Sequence, residues 1–241
     1  MGKCTEIEWT DGTWNPVRGC RRISPGCANC YMYREQRRYG RDPTVVVASK
    51  TTFNDPLKWK DGRRIFTCSW SDFFIEEADP WRARAWDIIS QTPRHVYQIL
   101  TKRPERIADH LPRDWPLPNV WLGVTVENRR HGLPRMDILR KIPARLRFFS
   151  AEPLLEDLGL LDLKGFDWAI IGGESGPKAR RMHPDWARHI RDQCIAANVP
   201  VFFKQWGEFD PSGNRVGRKK AGRVLDGREW NDVPAAMPRM T

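Results

Sequence analysis

No apolar run in the 241 residues approaches the roughly 18 that a membrane-spanning helix needs, so a transmembrane reading fails and no membrane partner is expected. The opening MGKCTEIEWTDGTW lacks the apolar stretch of a signal peptide and carries Glu6 where a myristoylation signal has Ser or Thr. A cytoplasmic chain is therefore the expectation. Cysteine is scarce too: six in a chain of this length do not make the disulfide framework of a small secreted domain. Reduced thiols or metal ligands are expected instead. Internal repeats and low-complexity blocks are both missing. Acidic residues are outnumbered, 30 against 41 Lys and Arg, and the net charge of +11 favours a polyanionic partner such as nucleic acid. A solvated basic surface that only keeps the chain soluble is the plain alternative. The twelve Trp residues pose the same choice, since aromatic rings either stack on unpaired bases or fill cores.

What is present is a regular alternation of short apolar runs and helical stretches, the pattern of a parallel sheet wrapped by helices. Strands are expected over 13–17, 64–69, 95–101, 119–125, 145–150, 167–171 and 200–204. Helices are expected over 28–39, 80–91, 104–110, 130–141 and 184–197, several with proline near the first turn, where its missing donor costs little. The fold class that follows is α/β, a partial (βα) barrel of about six to seven parallel strands over residues 1–208. A doubly wound sheet is the alternative on the same pattern. Residues 41–60 read as an irregular excursion or an extra strand. From Phe209 the apolar period stops while Gly, Pro, Arg and Lys dominate, so 209–241 is expected as a basic C-terminal arm or hairpin.

In a barrel of parallel strands the active site lies at the carboxyl ends, which makes the residue just past each strand informative. Here those positions are Ser71 and Asp72, Lys102 and Arg103, Glu127 and Asn128, Glu152, the turn Gly172-Gly173-Glu174-Ser175, and Gln205. Polar connections are common, but these residues follow apolar runs directly, with no room for a solvated linker. The turn at Gly172 and Gly173 offers free backbone donors, and Glu174 a carboxylate able to accept from an ammonium group. A tight strand-to-loop turn with a solvated acid is the other reading.

Cys20, Cys27 and Cys30 share one loop, with six residues between the first two and two between the last pair. Pro25 and Gly26 supply the bend that lets a CxxC pair aim both sulfurs at one site. Three thiolates suit a structural zinc with a fourth ligand from elsewhere, or a four-iron cluster that keeps one iron open. Plain thiols are the third reading. No second CxxC or CxxH pair exists, which counts against zinc, and Cys68 and Cys194 read as buried inert thiols within a strand and a helical face.

The segment TWNPVRGCRRISPGCANCY resembles the opening of the radical S-adenosylmethionine (SAM) superfamily, most closely its spore photoproduct lyase branch, with Tyr31 as the aromatic residue after the last cysteine. Over nearly its full length, through SDFF, LTKRPER, WLGVTVEN, SAEPLL, IIGGESG, FFKQWGEF and GRVLDGREW, the chain also resembles an uncharacterised phage and prophage protein family. The resemblance implies a 4Fe-4S cluster on Cys20, Cys27 and Cys30, with S-adenosyl-L-methionine on the open iron and an electron-donor protein to start cleavage of the sulfonium. It further implies a deoxyadenosyl radical that abstracts hydrogen from a substrate over the barrel mouth. Superfamily members usually place three residues between the first two cysteines, against six here, and their Gly-Gly-Glu follows an early strand, against a late one here. Gly172, Gly173 and Glu174 are candidates for the SAM site by the Gly-Gly-Glu likeness despite that shift, and Glu127, Asn128, Glu152 and Lys102 join them from strand ends and not from a matched motif. Base repair or modification of nucleic acid is the expected reaction class. A non-catalytic zinc-containing nucleic-acid-binding protein is the alternative, and a product of a neighbouring gene is a further possible partner.

Overall fold

The apolar runs become short strands in the computed structural model, which describes residues 5–234. The chain opens with β1 (Gly12–Trp14) and β2 (Val17–Arg18), then passes through the cysteine loop into α1 (Tyr31–Arg38). After β3 (Val47–Ala48) and α2 (Asp55–Lys58) come β4 (Arg64–Thr67), α3 (Asp79–Gln91), β5 (Val96–Thr101) and β6 (Val120–Thr125). Next are α4 (Arg129–Arg140), β7 (Leu146–Ala151), β8 (Trp168–Gly172), α5 (Pro184–Ala196) and β9 (Val201–Gln205). A short α6 (Arg218–Ala221) and the hairpin of β10 (Val224–Leu225) and β11 (Arg228–Glu229) close the described chain.

Seven of these strands form one sheet in the order β1-β4-β5-β6-β7-β8-β9, every pair parallel, curled into a half-barrel. The part-closed α/β architecture is thus present, with the strands in chain order. Three local expectations are corrected. The run at 13–17 divides into β1 and β2, because β2 leaves the sheet to pair antiparallel with β3, which is also the extra strand within 41–60. The helix at 104–110 is two tight turns, Pro104–Arg106 and Ala108–His110, since seven residues ending before Pro112 cannot repay helix nucleation. Residues 28–30 stay outside α1, which starts only after Cys30 has served as its cap.

Successive side chains on a strand point to opposite faces, and that alternation sorts the core into two. Outward-facing Ile65, Ile99, Leu122, Val124, Phe149, Ile171 and Phe203 pack with the residues of the covering helices, such as Ile89, Leu139 and Ile190. Inward-facing Trp121, Phe148, Trp168, Ile170 and Phe202 meet Trp9, whose ring lies 4.7 Å from Phe66 and 6.0 Å from Trp168. Burial of each such ring is worth on the order of 2–3 kcal/mol, so the inner floor is a solid plug and not a channel.

The arm is attached to the sheet and not loose. Phe203 N donates to Trp230 O (2.9 Å), Trp168 Nε1 donates to Asp232 O (2.8 Å), and Leu225 is fully buried, so 209–234 covers the open edge of β9. Residues 235–241 of the expected arm lie outside the described residues. Asp226 fastens the hairpin to α5 through Arg188 (2.8 Å) and Arg191, and these guanidinium groups hold its carboxyl down at about 2. A carboxyl lowered in the folded state contributes fully above its ordinary range and loses that contribution as pH falls from about 4 towards 2. Asp226→Asn should speed hydrogen exchange of the arm at neutral pH while costing no more than about 1 kcal/mol of global stability, because the pair is half exposed. The parent arm should gain the same exchange only on acidification through that window; equal exchange in both proteins at neutral pH would contradict the assignment.

Candidate metal centre

The cysteine loop is built by local turns and by strand ends reaching up to it. Gly19 adopts φ +91°, and a side chain there would come within 2.2 Å of Val45 O, so this corner requires glycine. Its N–H donates to Trp70 O (3.0 Å) and its carbonyl accepts from Ser71 Oγ (2.6 Å), which sets Cys20 beside the end of β4. Pro25–Cys27 forms one tight turn, Cys27 N donating to Ser24 O (2.9 Å), and Cys30 then caps α1. Tyr33 Oη donates to Cys20 O (2.6 Å), so the helix that begins at the last cysteine also holds the first.

Two clamps fix this loop over the carboxyl ends of the strands. In the first, buried Asp72 accepts from Thr101 Oγ1 (2.6 Å), Lys102 N (2.9 Å) and Arg103 Nη1 (3.0 Å). Arg103 in turn donates through Nη2 to Arg21 O (2.9 Å) and points Nη1 at Cys20 Sγ (3.9 Å). In the second, Glu174 Oε2 accepts from Asn29 Nδ2 (3.0 Å), Arg180 N (2.9 Å) and Arg180 Nε (2.8 Å), while Oε1 takes Arg180 Nη2. Arg180 also donates to Pro25 O (3.0 Å), so both halves of the CxxC turn are held from β8.

The alternation that fills the floor with rings lifts charge into the mouth. Lys102 Nζ donates to Thr125 Oγ1 (3.3 Å), and Glu152 pairs with Lys204 (2.6 Å). Glu127 lies fully buried, with Oε2 on Arg135 Nη1 (2.6 Å). Among the described residues its other oxygen, Oε1, is buried and makes no hydrogen bond of ordinary length and angle, with the Ser24 hydroxyl as its nearest polar neighbour in effect. A side chain added at Gly26 would come within 3.1 Å of Glu127, so the cysteine turn rests directly on this carboxylate. Burial pushes the Glu127 carboxyl up, but Lys102, Arg135 and the Ser24 hydroxyl outweigh it and hold the acid below its ordinary range.

The three thiols differ. Burial and the Asp72 charge push Cys20 up to about 12, against the pull of Arg103. Burial raises Cys30 as well, opposed by Lys102 and by the backbone of Met32 and Tyr33. At Cys27 burial loses: Lys102 and the backbone of Ile23 and Ser24 bring the thiol below its usual value. Cys20 feels the charge of Cys27 and Cys30, and Cys30 that of Cys27, which places the three in one electrostatic neighbourhood. Among the described residues no three Cys, His, Asp or Glu side chains are grouped to hold a single metal ion. A four-iron cube takes each sulfur on a separate iron, so its ligands do not converge on one point as those of tetrahedral zinc do. Three thiols beside cationic Lys102 and Arg103, with backbone donors to Cys27, are a donor set of the chemistry that a cluster takes.

A family model described as a protein of unknown function (DUF5131) matches residues 4–234. The chain belongs to that family. No curated protein and no solved structure matches it.

The candidates named from sequence in this family member are only partly brought together. Cys20, Cys27, Cys30, Lys102, Glu127, Glu152 and Glu174 surround one mouth, whereas Asn128 turns away to cap α4, its Oδ1 accepting from His131 N (3.0 Å). Gly172 leaves 3.4 Å to Glu152, and Gly173 lets Trp206 O approach to a point that a side chain would fill, so both glycines serve packing between β8, β7 and β9. Cys194 is buried in α5 and pushed up to about 12 by burial, while Cys68 lies buried at φ +63° just past β4, close enough to Cys20 to feel its charge. Sequence reasoning missed Arg103, Asp72, Asn29 and Arg180 as loop clamps. The first two stood among the strand-end residues, and Asn29 sits between two cysteines, but nothing local marks Arg180.

Breaking one partner of a buried ion pair leaves an uncompensated charge and costs about 3–5 kcal/mol. Arg103→Met should lose stability on that scale in urea unfolding, and Asp72→Asn combined with Arg103→Met should lose less than Arg103→Met alone. A fully additive double variant would show that the two side chains do not act as a pair.

Proposed function

We propose that this protein is a radical SAM-type iron–sulfur enzyme acting on nucleic acid. The observation that carries the reading is a three-cysteine loop clamped over the mouth of a parallel half-barrel, with the buried Glu127 carboxylate directly beneath it. When bound, a cluster on Cys20, Cys27 and Cys30 supplies the electron that cleaves S-adenosylmethionine and yields a deoxyadenosyl radical. The chain's own residues do the rest. Arg103 and Lys102 offset thiolate charge on the loop, and Glu127 is the carboxylate left to take an ammonium group, since Glu174 has both oxygens engaged. Glu152 and Lys204 present a charge pair at the substrate side of the same mouth. The aromatic floor of Trp121, Phe148 and Trp168 seals the opposite end against water, which a radical reaction requires. An excess of Lys and Arg suits a polyanionic substrate, and an electron-donor protein completes the set of partners.

Anaerobic reconstitution with iron and sulfide, followed by SAM and a strong reductant, should give about four irons per chain and release deoxyadenosine. Cys30→Ala should lose both, and Glu127→Gln should keep its iron while weakening SAM binding about tenfold or more, the scale of a lost buried charge partner. Stoichiometric zinc that iron does not displace, or SAM left intact by iron-loaded protein, would remove the proposal in favour of a structural zinc site.

A further inference from the structure

The helix that begins at Cys30 turns one face to the cysteine loop and the other to solvent. Met32, Tyr33 and Gln36 are buried, whereas Arg34, Arg37, Arg38 and Tyr39 are exposed, and Arg41 follows on the surface. The carboxylates facing this row are Glu35, 3.8 Å from Arg34, and Asp42, which accepts from Thr44 N (2.8 Å) and Oγ1 (2.7 Å) and is held below its ordinary range mainly by those bonds, with Arg37 adding to them. Arg37, Arg38 and Arg41 form no salt bridge among the described residues. At one end of the row Tyr39 is 59% exposed, its ring 6.1 Å from Trp70 and 5.5 Å from the Arg41 guanidinium. At the other end, a side chain at Gly176 would come within 2.7 Å of Arg34 Nη1, and Gly176 O accepts from Arg215 Nη2 (3.0 Å). Arg34 of α1 and Arg215 of the arm, the latter 4.0 Å from Glu208, therefore both approach the same turn of the β8 loop. From there the arm leads to exposed Lys219 and Lys220 of α6.

We infer that this band, from the Tyr39–Trp70 ring pair along α1 to Arg215 and α6, binds a single strand of nucleic acid and lays it past the cysteine loop. The inference rests on the function proposed above and names the form of its substrate. Guanidinium groups spaced along a helix and continued by the arm match a phosphodiester backbone in charge. The Tyr39 ring, more than half exposed, suits unpaired bases, whose faces are free, whereas in a duplex they are already stacked. An enzyme that works on a base also needs that base out of the duplex.

The test is fluorescence anisotropy of the full chain with a labelled oligonucleotide of about 20 nucleotides, unpaired or annealed, across a range of salt. The parent should prefer the unpaired strand, with affinity falling steeply as salt rises. Arg37→Ala with Arg38→Ala should weaken binding about tenfold or more and flatten the slope of log K against log salt by about 1.4, near 0.7 for each lost phosphate contact. Tyr39→Ala should weaken it about tenfold with the slope unchanged, because stacking releases no counterions. Arg37→Lys with Arg38→Lys should keep most of the affinity, and Arg113→Ala with Lys141→Ala, away from the band, should keep all of it. Thermal melts confirm that each variant folds; should the arginine variant fail to fold, Tyr39→Ala decides. Preference for duplex, equal loss in the Arg113 and Lys141 variant, or equal competition by polyglutamate would overturn the inference, the last pointing to an acidic protein. Binding needs neither iron nor SAM, so intact SAM cleavage without strand binding removes this surface alone, and strand binding without SAM cleavage removes only the chemistry.

Discussion

Two-residue alternation along parallel strands is the constraint from which the rest of this protein is built. It sends Phe148, Ser150 and Glu152 of one strand to the interior, Trp121, Gly123, Thr125 and Glu127 of the next, and Leu100 and Lys102 of the one beside it. Because the strands run in the same direction and in near register, residues of like depth meet: rings at the floor, hydroxyls above them, charges at the rim. A polar mouth over a sealed floor is what results.

Charge buried in that mouth is balanced group by group. Asp72 faces Arg103, Glu127 faces Arg135 and Lys102, Glu152 faces Lys204 and Glu174 faces Arg180. Isolated charges at this depth would cost several kcal/mol each, so the pairing is a condition for placing them there. The division of labour within the pairs follows from what is left over. Glu174 and Asp72 have both oxygens hydrogen-bonded, while Glu127 Oε1 makes no hydrogen bond of ordinary geometry among the described residues.

The exterior follows a different rule. Arg37, Arg38 and Arg41 stand in solvent with no salt bridge among the described residues, and the field they create reaches outward. The net charge of +11 is thus unevenly distributed: paired inside the mouth, left without salt bridges at Arg37, Arg38 and Arg41 beside it among the described residues. One helix, α1, joins the two regimes, since it starts at a cysteine and exposes arginine on its far side.

The sequence by itself determined the period of the strands, the number of parallel strands in the sheet, the CxxC turn and the polar character of the strand ends, because each is local: alternation, turn residues and spacing act within a few positions. It could also have separated Glu127 from Asn128 by parity, one residue's difference deciding between the mouth and a helix cap. Only the tertiary structure decided that Glu174 clamps Asn29, that Arg103 reaches Cys20 across 83 residues, that the arm seals the edge of β9, and that Arg34 and Arg215 converge on Gly176. Those contacts join segments far apart in the chain, and their partners are chosen by the curl of the sheet and by the need to pair each buried charge, which no short window of residues contains.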